Sequence, residues 1–121
     1  MKHLIKDLKH VIVFFNEGLR EIDLSKLITD VMRSIWSLGK LKGLYVWVVS
    51  DIGPVKYIEY LKEFLLNNIA YSVILHYAGS SQADFIKLVH KLKDLEPVVI
   101  VKKGLAFSVR DACINCEIIE V

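Results

Sequence analysis

Short apolar runs that alternate with stretches of helical period constrain this chain more than any single motif. His10 to Phe15, Leu44 to Val49, Ala70 to Tyr77 and Val98 to Val101 are rich in β-branched and aromatic residues. They are too short for helices, so each predicts a buried strand. Between the first two, apolar residues recur at Leu24, Leu27, Ile28, Val31, Met32, Ile35 and Trp36, with Asp23 or Ser25 as the cap and Gly39 as a left-handed stop. That spacing predicts an amphipathic helix, after which Gly43 opens the second strand.

Pro54 suits a first helical position, and Val55 to Leu66 continues without a breaker until Asn67 and Asn68. Its apolar residues spread round the helix, so one face is expected to meet the sheet and another, with Tyr57, Tyr60, Phe64 and Leu65, a second chain. Ser80 or Ser81 caps a further helix with Phe85, Ile86, Val89 and Leu92 inward. The last part, from Leu105, reads as a loop, a helical turn near Arg110 to Ile114 and a short strand from Glu117 to Val121. Helical crossovers between parallel strands are right-handed almost without exception. The fold class is therefore α/β: a small parallel sheet with helices on both faces, in a single domain over residues 1–121.

Composition excludes several functions. Hydrophobic residues make up 54% of the chain, with a mean hydropathy of +0.41, yet no apolar run approaches a membrane span. The opening MKHLIKDLK has no long apolar stretch of a secretory signal, so a cytoplasmic protein is expected. The net charge is +2, and its 16 basic and 14 acidic residues are interspersed, which argues against nucleic acid as a partner. Cys113 and Cys116 form one C-I-N-C, while His3, His10, His76 and His90 are scattered singly, so a zinc set lacks its second pair, and buried thiols are expected ahead of the alternative of metal or redox work. Dinucleotide, Walker and nucleophile-elbow motifs are absent.

In an open parallel sheet, ligands bind beyond the carboxyl ends of the strands. The alternation delivers Asn16, Glu17, Gly18 and Arg20 there, then Ser50 and Asp51, His76 and Tyr77, and Lys102, Lys103 and Gly104. Arginine, lysine, serine and open backbone amides are what a phosphate or diphosphate requires.

Taken in order, these segments resemble the cis-prenyltransferases, the undecaprenyl and dehydrodolichyl diphosphate synthase family. HVIVFFNEGLR sits where that family has H-V-A-I-I-M-D-G-N-G-R, and SLGKLKGLYVWVVSD is similar to its E-L-G-I-K-Y-L-T-L-Y-A-F-S-T. Gly53 to Leu66 falls on R-P-x-x-E-V-x-x-L-M, and HYAGSSQADFIKLVHKL on N-Y-G-G-R-x-E-I-x-x-A-x-x-x-L. PVVIVKKG is similar to P-D-L-V-I-R-T-G, and CEII to S-E-L-Y.

The resemblance implies a diphosphate site of Gly18, Arg20, Ser50, Lys102, Gly104 and, at a shorter spacing, Arg110, with Glu117 on a metal-related position. The family's catalytic aspartate falls on Asn16, its next glycine is Glu17, and the segment that builds the product tunnel is missing between Asn68 and Ile69. No catalytic residue is therefore assigned. The chain resembles the truncated, non-catalytic partner of heteromeric cis-prenyltransferases, the Nogo-B receptor type of subunit.

An accessory role in isoprenoid lipid carrier synthesis is implied by this resemblance. Its partner would be a catalytic cis-prenyltransferase subunit or a second copy of itself, with an isoprenoid diphosphate as ligand. No cofactor is expected of the chain alone; Mg²⁺ enters only with the catalytic partner, and any membrane association is peripheral, through that partner. Two readings compete: a transferase acting on a short isoprenoid diphosphate through Arg20, Lys102 and Glu117, and an unrelated α/β module that binds an anion or itself.

Overall fold

The computed structural model describes residues 9–15, 21–39, 41–50, 58–79, 81–101 and 104–121. Within these, five parallel strands form one sheet: β1 (Lys9–Phe15), β2 (Leu41–Ser50), β3 (Ala70–Gly79), β4 (Val98–Val101) and β5 (Glu117–Glu120). Four helices alternate with them: α1 (Glu21–Trp36), α2 (Ile58–Asn68), α3 (Gln82–Lys91) and α4 (Ala106–Ala112). The α/β class expected from the alternation is the fold observed.

The strand order is β3-β2-β1-β4-β5. From β1 the chain steps outward twice in one direction, then crosses to the far side of β1 and steps outward in the other. Because each crossover is right-handed, that reversal sends the helices to opposite faces. One face packs Val11, Val13, Leu44, Val46, Val48, Val98 and Ile100 against Ile28, Val31 and Ile35 of α1 and Leu61 and Leu65 of α2. The other packs Ile12, Phe14, Val49, Val99 and Val101 against Phe85 and Val89 of α3 and Val109 of α4. Successive strand residues point to opposite faces, so the unbroken apolar runs of β1 and β4 fill both cores at once.

Local chemistry fixes the element ends. Gly39, at φ +90, closes α1 with its N–H donating to the Trp36 carbonyl at 3.1 Å. Ser81 is the cap of α3: its Oγ accepts from the Asp84 N–H at 3.3 Å while Asp84 Oδ2 accepts from the Ser81 N–H at 3.4 Å, a reciprocal box.

Several boundaries differ from the sequence reading. β2 begins at Leu41, ahead of Gly43, because the Leu41 N–H donates to the Ile69 carbonyl and the strand pairs with β3 from its first residue. Asn67 and Asn68 close α2 from inside it, with Asn68 Nδ2 donating to the Phe64 carbonyl. The helical turn expected near Arg110 starts earlier, at Ala106.

Two expectations are corrected. Leu65, assigned to an interface, is fully buried against the sheet. On that helix Tyr60 is 64% exposed, and Phe64 is half-buried with its ring edge-on to Trp36; Tyr57 lies outside the described residues. The cysteines are not thiols: Cys113 and Cys116 are joined in a disulfide. Among the described residues no helix is long and apolar enough to cross a membrane.

The second core turns on Phe85, buried and stacked on Phe14 with ring centroids 4.7 Å apart. Phe85→Ala is expected to cost about 3–5 kcal/mol in an equilibrium urea titration. Phe107→Ser, at a residue 77% exposed on α4, should stay within about 0.5 kcal/mol of the parent.

Candidate functional site

The strand order reverses between β1 and β4, with the helices that follow these two strands on opposite faces, and it is at such a reversal that open α/β sheets leave a crevice beyond the carboxyl ends of the strands. β1 ends at Phe15 and β4 at Val101. Connectivity therefore ties the segment with Asn16, Glu17, Gly18 and Arg20, and the one with Lys102 and Lys103, to adjacent strand ends. Those six residues and Asp51 lie outside the described residues. Ser50 is the last residue of β2, next to β1 on the same edge.

Gly104 is described and shapes the turn that follows β4. Its φ of +98 is a conformation that side-chain-bearing residues rarely adopt, and an added Cβ would meet nothing within 4 Å. Glycine is needed there for backbone freedom rather than for room. Leu105 then leads into α4 without a side-chain cap, so the first turn of α4 begins at this edge with no capping side chain among the described residues.

Other expected site residues are not brought there. Glu117 is the first residue of β5 and pairs with Val98, the first of β4, which puts it at the amino edge, a strand's length from the crevice. Arg110 is exposed on α4, which runs from the carboxyl edge back toward the amino edge. β3 continues to Gly79, so His76 is an interior strand residue rather than a loop residue. It lies in the sheet face.

That face carries a set of rings the sequence reading missed. In register, His10 pairs with Tyr45 and Trp47 with His76, and in-register residues of parallel strands share a face. The rings stack: His10 on Tyr45 at 5.0 Å, Tyr45 on His76 at 5.6 Å and His76 on Trp47 at 4.0 Å, all within 16° of parallel. His10 is buried. Trp47 Nε1 and His76 Nε2 are enclosed with no hydrogen-bond partner among the described residues. The signal was the two-residue period of polar and aromatic side chains within the strands, legible only once the register is known. Among the described residues no three His, Cys, Asp or Glu side chains come together as a metal site requires.

At the amino edge, Cys113 caps the end of α4, its N–H donating to the Val109 carbonyl, and its disulfide reaches Cys116 just before β5. A loop this small gains only about 2 kcal/mol in the chain-entropy account. Next to it, a cleft of about 280 Å³ is lined by His90, Lys93, Asp94, Asp111, Cys113 and Asn115. Lys93 Nζ and His90 Nε2 stand 3.3 Å apart at its side.

Comparison with protein-family models, with curated proteins and with solved structures finds no match to this chain.

The backbone at Gly104 generates a direct test. Gly104→Ala places a side chain at φ +98 without a clash, so it is expected to lower stability by about 1–2 kcal/mol through backbone strain alone. Thermal or urea denaturation checks it; an unchanged midpoint would mean the turn has another conformation.

Proposed function

We propose that the chain binds a small phosphorylated ligand at the crevice between β1 and β4 and performs no chemistry of its own. The observation that carries this is the strand order, which reverses between two strands whose following segments hold Arg20 and Lys102, Lys103 and Gly104. A guanidinium and two ammonium groups in the segments that follow two adjacent strands suit a phosphate or diphosphate, and glycine backbones would let it approach.

The absence of catalysis rests on two features. Asn16, which falls on the family's catalytic aspartate, offers no carboxylate for a metal, and Glu117 sits at the opposite edge of the sheet. A metal bridging diphosphate oxygens would supply much of the charge stabilisation in prenyl transfer. The resemblance to cis-prenyltransferases extends the proposal: the ligand is an isoprenoid diphosphate, and the chain is an accessory subunit of a polyprenyl diphosphate synthase. Its partner is a catalytic homologue or a second copy.

Exposed rings favour association. Trp36 and Tyr60 are 60% and 64% exposed on α1 and α2, with the half-buried Phe64 beside Trp36. Large exposed apolar groups gathered on one face mark interfaces more often than singly scattered ones. Light scattering at micromolar concentration should give a mass above 13.9 kDa, and a monomer mass across a dilution series would refute self-association.

Two charge-assisted contacts of about 1.5–3 kcal/mol each would hold pyrophosphate at roughly millimolar to tens of micromolar. Glu17 opposes this by repulsion. Calorimetry with pyrophosphate and farnesyl diphosphate should show binding that fades as salt rises, weakens about tenfold or more in Arg20→Ala or Lys102→Ala, strengthens in Glu17→Gly and is unchanged in Glu117→Gln. With Mg²⁺ added, the same preparation should form no condensation product. Lack of anion binding at low salt would dismiss the site, and Mg²⁺-dependent turnover would dismiss the non-catalytic role.

A further inference from the structure

The disulfide is poorly explained as a staple. It joins residues three apart in sequence, and closing so short a loop constrains the unfolded chain least. The flanking elements are already held: α4 by Ala106 and Val109 in the core, and β5 by its pairing with β4. The C-x-x-C spacing is instead one on which thiol–disulfide exchange operates.

The two sulfurs are not equivalent. Cys113 is 2% exposed, sits in the apolar core of the second face and closes a helix at its carboxyl end. Burial and the negative end of the helix dipole both disfavour a thiolate there. Cys116 is half-buried, outside the helix, in the turn that leads to β5. Between them Ile114 is 90% exposed, and the cleft with His90, Lys93 and Asp111 is bordered by the residues from Cys113 to Asn115. Of the two, the half-buried Cys116 is the sulfur more open to an incoming thiolate, and Cys113 is the more enclosed.

We propose that Cys113 and Cys116 form a thiol–disulfide exchange site whose substrate is a small thiol or dithiol, with Cys116 the sulfur attacked and Cys113 the one that leaves. The thiolate of the first substrate molecule forms a bond to Cys116 Sγ, the bond between the two Sγ atoms breaks, and its electron pair stays on Cys113 Sγ, which takes a proton. A second thiolate, or the other sulfur of a dithiol, then attacks the substrate sulfur of the mixed disulfide and releases Cys116 as a thiolate that is protonated in turn. Two thiols are oxidised to one disulfide and the protein gains two thiols; the reverse sequence reoxidises it.

The test uses the full chain without denaturant. It is equilibrated with graded ratios of reduced to oxidised glutathione or dithiothreitol, quenched by alkylation and weighed. The expected result is a reversible two-electron transition, complete with excess dithiothreitol and needing a larger excess of glutathione, with the circular dichroism of the folded chain retained. Fragment sequencing of the peptide from Asp111 to Val121 should place the transient glutathione adduct on Cys116 at least about tenfold over Cys113. Cys113→Ser should trap that adduct and Cys116→Ser should not; the wild-type adduct map decides the matter if either variant fails to fold. A disulfide that resists reduction in the folded chain, unfolding upon reduction, or an adduct mainly on Cys113 would overturn the proposal.

Discussion

β1 is the constraint on which the rest of the structure depends. Val11, Ile12, Val13 and Phe14 are each at most 1% exposed, and the strand is paired on both edges, to β2 and to β4. A strand so enclosed must be apolar on both faces, and its alternate residues then divide between two cores. Each core needs its own helices. Right-handed crossovers supply them only if the chain leaves β1 in one direction and returns on its other side, which is the order seen. The crevice at the carboxyl edge is therefore a consequence of burying one strand, not a separate feature added to the fold.

Much of this was legible because the signals were local. Val98–Val101 is the strand expected from Pro97 and four apolar residues, Gly39 takes the left-handed conformation expected of it, and Ser81 holds one of the two caps left open. What escaped depended on partners distant in sequence. β2 gains Leu41 to Gly43 because β3 offers pairing there, and β3 runs past Tyr77 for the same reason, which withdraws His76 from the edge. α4 lacks a capping side chain, so nothing in its sequence marked its start. Leu65 belonged to a helix apolar on several sides, and only tertiary packing decides which side is buried. The cysteine pair carried no local sign of its oxidation state.

The candidate site was legible to a similar degree. Strand ends and the residues after them could be named from connectivity, and Ser50 and Gly104 do lie on that edge. Glu117 could not be placed, because its position depends on the polarity of β5, and a parallel fifth strand carries its first residue to the amino edge. The stacked rings of His10, Tyr45, His76 and Trp47 were hidden for a related reason: the residues are scattered in sequence and meet only through the registers of β1, β2 and β3.

The two edges of the sheet are joined by α4. It leaves the crevice at Gly104 and ends at the disulfide, seven residues that span about 10 Å. A helix of that length is not stable alone, since nucleation outweighs the few hydrogen bonds it gains. Its amino end has no side-chain cap, so its position rests on Ala106 and Val109 in the core and on Cys113 at its carboxyl end. The bond from Cys113 to Cys116 then ties the far end of that helix to the turn before β5.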